Sequence, residues 1–274
     1  MDFALNHMTT PDLGYVDFLE LAARLGCVGV EVRTDIARDL FDGMDPEQAG
    51  KLAKDKGLRI VGLSQVYPFN DWNKARDTAV RDLISIAKAA DAETINLIPR
   101  NDGAGRGDGE RQANLIVALT AILPMLRDAN IVGLVEPLGF LRSSLRAKSE
   151  LVAAINAIDG ADHVKLVHDT FHHTLSAEGE VFAGATGIVH ISGVVDPDLR
   201  IEDMEDEHRV LVDTHDCLGN IAQLRALLRG GYSGPISYEC FSPKTHALRD
   251  PFAAIKASIE FITTQLRAEA NLRR

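Results

Sequence analysis

Short β-forming runs alternate with amphipathic helical patterns along the whole chain, and this alternation limits the fold more than any other feature of the sequence. The β-rich runs are Phe3-Ala4-Leu5, Gly29 to Val32, Arg59 to Leu63, Thr94 to Ile98, Ile131 to Val135, Val164 to Val167, Ile188 to Ile191 and Pro235 to Tyr238. Between them, apolar residues recur at the helical period. Phe18, Leu21, Ala22 and Leu25 mark the first helix, and Gly26 is placed to stop it. Asp45-Pro46-Glu47 opens the second, with Asp as the cap and Pro where its missing N–H costs nothing. Further helices are expected over Lys74 to Ala90, Glu110 to Asp128, Ser149 to Ile158, Ile221 to Leu228 and Pro251 to about Ala268, with a short, ill-defined one after His173. The tail from Asn271 to Arg274 is expected to fray.

Strand followed by helix, repeated about eight times in 274 residues with no linker, predicts a single (β/α)8 barrel domain over 1–274. Such barrels run to ~250 residues. The competing open, doubly wound sheet needs a glycine-rich phosphate turn after its first strand, and none is present. Asn101 to Gly109 (NDGAGRGDG) is glycine-rich but lacks the Lys-Ser/Thr of a phosphate-binding P-loop. It reads as a loop on the barrel top, with a phosphate contact as its alternative.

Charge narrows the partners. A net charge of −11 repels nucleic acid and anionic membranes alike, so neither is expected. Ala113 to Leu126 is too short an apolar run to span a bilayer and reads as a core helix. Three scattered cysteines without a CxxC pair, and an N-terminus without a basic n-region, predict a cytoplasmic protein. A homo-oligomer is left open.

In a barrel of this kind chemistry gathers where the strands end. Strand five ends at Glu136, strand six at His168-Asp169, strand seven carries His190, and strand eight ends at Glu239. Four adjacent strands therefore offer Glu, Asp, His and Glu. This mixed oxygen and imidazole set suits one divalent metal ion: Mn²⁺, Zn²⁺ or Co²⁺ first, with Fe²⁺ and Mg²⁺ behind. Strands one to three offer His7, Glu31 with Arg33, and Gln65. His172, three residues after Asp169, is placed to reach the same cavity, and Arg209 to reach a polar substrate. His168 and His173 read as structural, Cys240 as a packing residue, and the acidic segment Ile201 to His208 as a solvated loop.

The chain resembles the xylose-isomerase-like TIM-barrel superfamily, and within it most of all the inosose (2-keto-myo-inositol) isomerases of inositol catabolism. The resemblance is carried by Leu5-Asn6-His7-Met8-Thr9-Thr10, Val30-Glu31-Val32-Arg33-Thr34, Val135-Glu136, Leu166 to His172, His190-Ile191, Asp206-Glu207-His208-Arg209-Val210 and Gly234 to Glu239. It implies metal ligation by Glu136, Asp169, His190 and Glu239, proton transfer by Glu136 and Glu239, and substrate contacts by His172 and Arg209. The implied reaction is isomerisation or epimerisation of a small polyhydroxy ketone through an enediolate that a dication stabilises. A keto-acid lyase like 3-dehydroshikimate dehydratase, or a phosphodiesterase like endonuclease IV, are the alternatives on the same barrel. The sequence departs from the family in two places. Ser192-Gly193 stands where an Asp usually follows the strand-seven His, and Thr214 to Asn220 replaces a Pro-Gly-x-Gly loop.

Overall fold

Eight parallel strands, each hydrogen-bonded to the next in sequence and the last to the first, close into a barrel. The structure is a computed structural model and describes residues 1–272. The strands are β1 (Phe3–Asn6), β2 (Gly29–Arg33), β3 (Arg59–Val66), β4 (Thr94–Leu97), β5 (Val132–Val135), β6 (Val164–Asp169), β7 (Thr186–Ile191) and β8 (Ile236–Tyr238). The helices are α1 (Tyr15–Leu25), α2 (Pro46–Asp55), α3 (Lys74–Ala89), α4 (Glu110–Ala129), α5 (Lys148–Ala157), α6 (Thr170–Ser176), α7 (Asn220–Arg229), α8 (Pro243–His246) and α9 (Pro251–Leu272). The expected (β/α)8 architecture is the observed one.

Strand periodicity of two explains how one strand serves both the core and a site. Leu5, Val30, Leu63, Ile95, Val135, Leu166, Val189 and Tyr238 belong to the large cluster that includes the buried faces of the helices. The opposite face points into the barrel. There Ala4, Val61, Leu134, Val167 and Ile188 form a small apolar plug. Two residues further along four of those strands stand Asn6, Glu136, Asp169 and His190, so the same inward face becomes polar toward the strands' C-terminal ends. A run of small apolar residues at the bottom and ligand-type residues at the top is what period two allows and a buried helix would not.

Local signals behave as their chemistry requires. Asp45 caps α2 by accepting from the Glu47 and Gln48 amides, and Gly26 ends α1 at φ 75°, a left-handed conformation costly for other residues. The apolar stretch expected to be core is α4, with Leu115, Leu119, Ile122 and Leu126 buried. Cys240 is buried, as a packing residue should be.

Three expectations need correction. The helix placed after His173 begins at Thr170, because the Asp169 side chain caps it by accepting from the His172 amide at 2.9 Å. The acidic segment is not simply solvated: it folds into two 3-10 turns, buries Met204 and turns Asp206 toward Arg209. The closing helix runs on through Asn271 and Leu272, expected to fray, while Arg273 and Arg274 lie outside the described residues. Among the described residues no helix is long and apolar enough to cross a membrane.

Candidate active site

The ends of β5 to β8 bring Glu136, Asp169, His190 and Glu239 together. Each offers one ligand-type atom, and these atoms lie within 4.8 Å of one another, all on buried residues. Strand register does the placing: Asp169 is the cross-strand partner of His190, and His190 of Ser237, two residues before Glu239.

His190 is oriented from behind. Its Nε2 lies 3.0 Å from Glu31 Oε2, a carboxylate at the end of β1–β2 pairing that Asn6 and Asn96 also hold, at 3.3 and 3.4 Å. Glu31 has room because residue 62 is glycine; a Cβ there would stand 3.0 Å from Glu31 Oε2. With Nε2 against Glu31, Nδ1 faces Glu239 Oε2 at 3.2 Å and Glu136 Oε1 at 3.5 Å.

Two arginines flank Glu239. Arg33 Nη1 lies 2.5 Å from Glu239 Oε1, and its Nε and Nη2 grip Asp35 at 2.8 and 2.7 Å. Arg209 Nη2 bonds to Asp169 and, at 2.9 Å, to Glu239 Oε2. Its Nε donates to Ser192 at 3.0 Å and its Nη1 to Asp206 at 3.2 Å. Ser192 is thus a neutral acceptor for this guanidinium. Asn220 Nδ2 in turn donates to the Ser192 carbonyl at 2.8 Å, so the departing 214–220 loop braces the end of β7.

These contacts set the protonation states. Burial raises the Glu136 pKa, with the neighbouring Glu239 and Asp169 charges adding to it, to about 7. Glu239 is buried as well, but His190, Arg209 and Arg33 outweigh burial and hold it well below the usual carboxylate range. Burial disfavours charge on His190, yet Glu31 and Glu239 overcome it and draw a proton toward the ring. His172 is pushed down to about 3 by burial and the Arg209 charge, so its ring is neutral.

The residues fit a divalent cation on three grounds. Glu136 Oε1 and His190 Nδ1 are buried without a well-formed hydrogen bond, and both face the centre of the cluster. The cluster carries more carboxylate than the two arginines balance, the same excess that draws a proton onto His190. The donor set of three carboxylates and one imidazole, with the imidazole braced by a further carboxylate, suits a divalent metal ion.

Around the cluster lies a cavity of about 220 Å³, lined by Arg33, Gln65, Tyr67, Glu136, Phe140, His172, Asp206, Arg209, Glu239 and Phe241 among others. His172 Nδ1 is buried without a partner, which leaves it for a ligand. Arg209 also lines the cavity, but most of its N–H groups are already engaged by protein acceptors. His7 is not brought to the cluster: it bonds to the Leu13 carbonyl at 2.9 Å and stacks on Phe18. His168 and His173 flank the buried Lys148, at 3.1 and 2.5 Å from its Nζ, in keeping with a structural role. Asp35, Phe140 and Phe241 were not singled out from sequence. Asp35 follows Arg33 by two residues, a spacing that would have suggested a clamp, whereas the two aromatics carry no sequence signal of their own.

The xylose isomerase-like TIM barrel family model matches residues 19–265. A crystal structure of a xylose isomerase domain containing protein from Salmonella typhimurium LT2 is 30% identical, with 96% of each chain covered and a TM-score of 0.87. The structure of IolI protein with a bound zinc atom is similar at 19% identity, covering 97% of this chain and 98% of that one, with a TM-score of 0.84. An L-ribulose 3-epimerase structure is similar at 19% identity, covering 99% and 98%, with a TM-score of 0.76. No curated protein matches the chain significantly.

Proposed function

The chain belongs to the xylose isomerase-like TIM barrel family, and from that premise we propose that it is a divalent-metal-dependent isomerase or epimerase of a small, neutral polyhydroxy ketone, an inosose being the best fit. The observation that carries this reading is the buried convergence of Glu136, Asp169, His190 and Glu239, two of them glutamates with opposed protonation tendencies. The zinc atom in the IolI structure and the epimerase among the similar folds support it.

Glu136, Asp169, His190 and Glu239 would hold the ion, with Mn²⁺, Zn²⁺ or Co²⁺ suiting the donor set. A dication there supplies positive charge beside a developing enediolate oxygen. Glu239, kept ionised by Arg33 and Arg209, takes the α-proton. Glu136, with a pKa near neutrality, gives or takes the proton at the adjacent position. His172, neutral and with Nδ1 unpartnered, binds a substrate hydroxyl, and the remaining Nη1 N–H of Arg209 can bind a second. Asp35 and Asp206 neutralise the two arginines from outside, so the cavity keeps no free cation for an anionic substituent. That favours a neutral polyol over a sugar phosphate or keto acid. The unpaired cysteines suit a reducing, cytoplasmic setting.

The test is proton exchange in D2O, followed by NMR over a panel of ketoses and inososes with Mn²⁺ or Zn²⁺ added. Exchange at one α-carbon, with isomer formation, is the expected result. Loss of water from a keto acid, with no exchange on any neutral ketone, would replace this reading by a dehydratase.

A further inference from the structure

A second cavity, of about 600 Å³, lies beside the active site, between the loop that joins β4 to α4 and the loop that joins β5 to α5. Three arginines line it, Arg106, Arg111 and Arg146, against a single lining carboxylate, Glu150. Arg111 is balanced, since it pairs with Glu150 at 3.1 Å and with Asp108. The other two are not. Arg106 donates Nε to the Gly103 carbonyl at 2.9 Å and Nη1 to the Leu141 carbonyl at 2.8 Å. Arg146 donates Nε to the Gly139 carbonyl at 2.9 Å and Nη2 to the Leu175 carbonyl at 3.1 Å. Among the described residues neither forms an ion pair with a carboxylate, and burial lowers the Arg146 pKa with no acid opposing it.

Carbonyl clamps account for where these guanidiniums are held, but carbonyls do not neutralise them. Each arginine has five N–H groups in a planar fork, so the Nη2 pair of Arg106 and the Nη1 pair of Arg146 remain for a ligand. Two arginines without a carboxylate partner lining one cavity are conspicuous in a chain of net charge −11. Two guanidiniums with free N–H groups lining one cavity suit an anion with several acceptor oxygens, as a phosphate has. Guanidinium forks also suit the geometry of phosphate oxygens. Arg106 lies in the glycine-rich segment Asn101 to Gly109, whose Gly107 also lines the cavity.

We propose that this cavity is a phosphate-binding site, separate from the metal cluster, held by Arg106 and Arg146. It takes either free phosphate or the phosphate group of a small metabolite, and it stands whether or not the neutral-ketone reading of the first cavity holds.

The test is titration of the metal-loaded protein with inorganic phosphate, at constant ionic strength, following the arginine Nε–H resonances by ¹⁵N–¹H NMR. Saturable shifts of Arg106 and Arg146 are expected. R106A and R146A should each weaken binding tenfold or more, and the double variant should abolish it. Should R146A fail to fold, R106A, at an exposed position, and the direct shifts in the wild type still decide. Tighter binding of glucose 6-phosphate than of inorganic phosphate would support the site and point to a metabolite; equal binding would support it and point to the free ion. Phosphate bound at the metal would survive the double variant undiminished, and that result, or no saturable shift at either arginine, overturns the proposal.

Discussion

At the scale of single residues the site turns on how carboxylates in one pocket are kept in different states. Glu239 has two arginines and His190 against it, while Glu136 has buried acids for neighbours and no arginine hydrogen bond. E239Q should abolish α-proton exchange, because an amide cannot accept the proton; general-base catalysis alone contributes ~10²–10⁴-fold. Metal content, measured in parallel, separates loss of the base from loss of the ion. A variant with full metal and near-normal exchange would remove Glu239 from the chemistry. Glu31 makes a different contribution. It reaches the cluster through the His190 ring, whose Nε2 it anchors, and through Asn6, whose Nδ2 lies 3.3 Å from both Glu31 and Glu239. Partners of this type are worth ~10–100-fold in metal affinity. E31Q should therefore weaken Zn²⁺ binding by about that factor while the fold, read by circular dichroism, is retained. Unchanged affinity, from competition with a chromophoric chelator, would reduce Glu31 to a packing role. Both glutamates of the proposed proton shuttle were legible in the sequence because they close β-rich runs. Glu31 was visible as a polar residue in a strand, but its use as a brace for His190 depends on a contact across 159 positions that no local pattern encodes.

At the scale of elements, the strands were read well and their ends less so. Every strand differs from its hydrophobic run by one to three residues, and four run on past its C-terminal end, as where β6 extends through His168-Asp169 and β3 through Val66. The cause is physical. Hydrophobicity marks where a strand crosses the core, and at the C-terminal ends the inward residues are the polar ones that form the site. The polar segment between β6 and β7 shows the same effect. There Lys148, from α5, lies buried between His168 on β6 and His173 on α6, while Gln223 on α7 accepts from His168 and donates to the Thr170 and Leu218 carbonyls. This network ties the strand that carries Asp169 to three helices. Burial lowers the Lys148 pKa to about 8. Since its unfolded value is near 10.4, the unfolded chain binds more protons at this position between those two pH values. Stability contributed by Lys148 must then rise with pH from about 8 to about 10.4. The difference in unfolding free energy between wild type and K148M, followed by denaturant titration across that window, should move in favour of the wild type as pH rises. A flat difference would mean that the ammonium is solvated and that the network does not bury it.

For the whole molecule the question is what three converging acids and a histidine do to a folded barrel with an overall charge of −11. The architecture itself follows from the repeating strand–helix order, and its closure from β1 pairing with β8. The site follows from that closure, because only a closed barrel brings Glu239 on the last strand next to Asn6 on the first, at 3.3 Å. Like charges gathered at the barrel mouth oppose the folded state unless a cation sits among them. In the unfolded chain the same groups are dispersed and bind a metal weakly, so the ion's binding energy adds to folding stability. At a free metal concentration 100 times Kd the gain is about 2.7 kcal/mol. For a chain of this size each kcal/mol is worth roughly 2–4 °C. Protein stripped with EDTA and then given Zn²⁺, Mn²⁺ or Co²⁺ should therefore unfold some ~5–10 °C higher than the stripped protein. Replacing Asp169 by Asn should shrink that increment, since it removes one ligand charge and leaves the barrel's apolar plug untouched. Mg²⁺, which takes imidazole poorly, should give the smallest shift of the four. Thermal unfolding at matched ionic strength decides it: identical midpoints with and without every one of these ions would leave the cluster as an array of hydrogen-bonded acids, and the metal-dependent chemistry proposed for it would have to be given up.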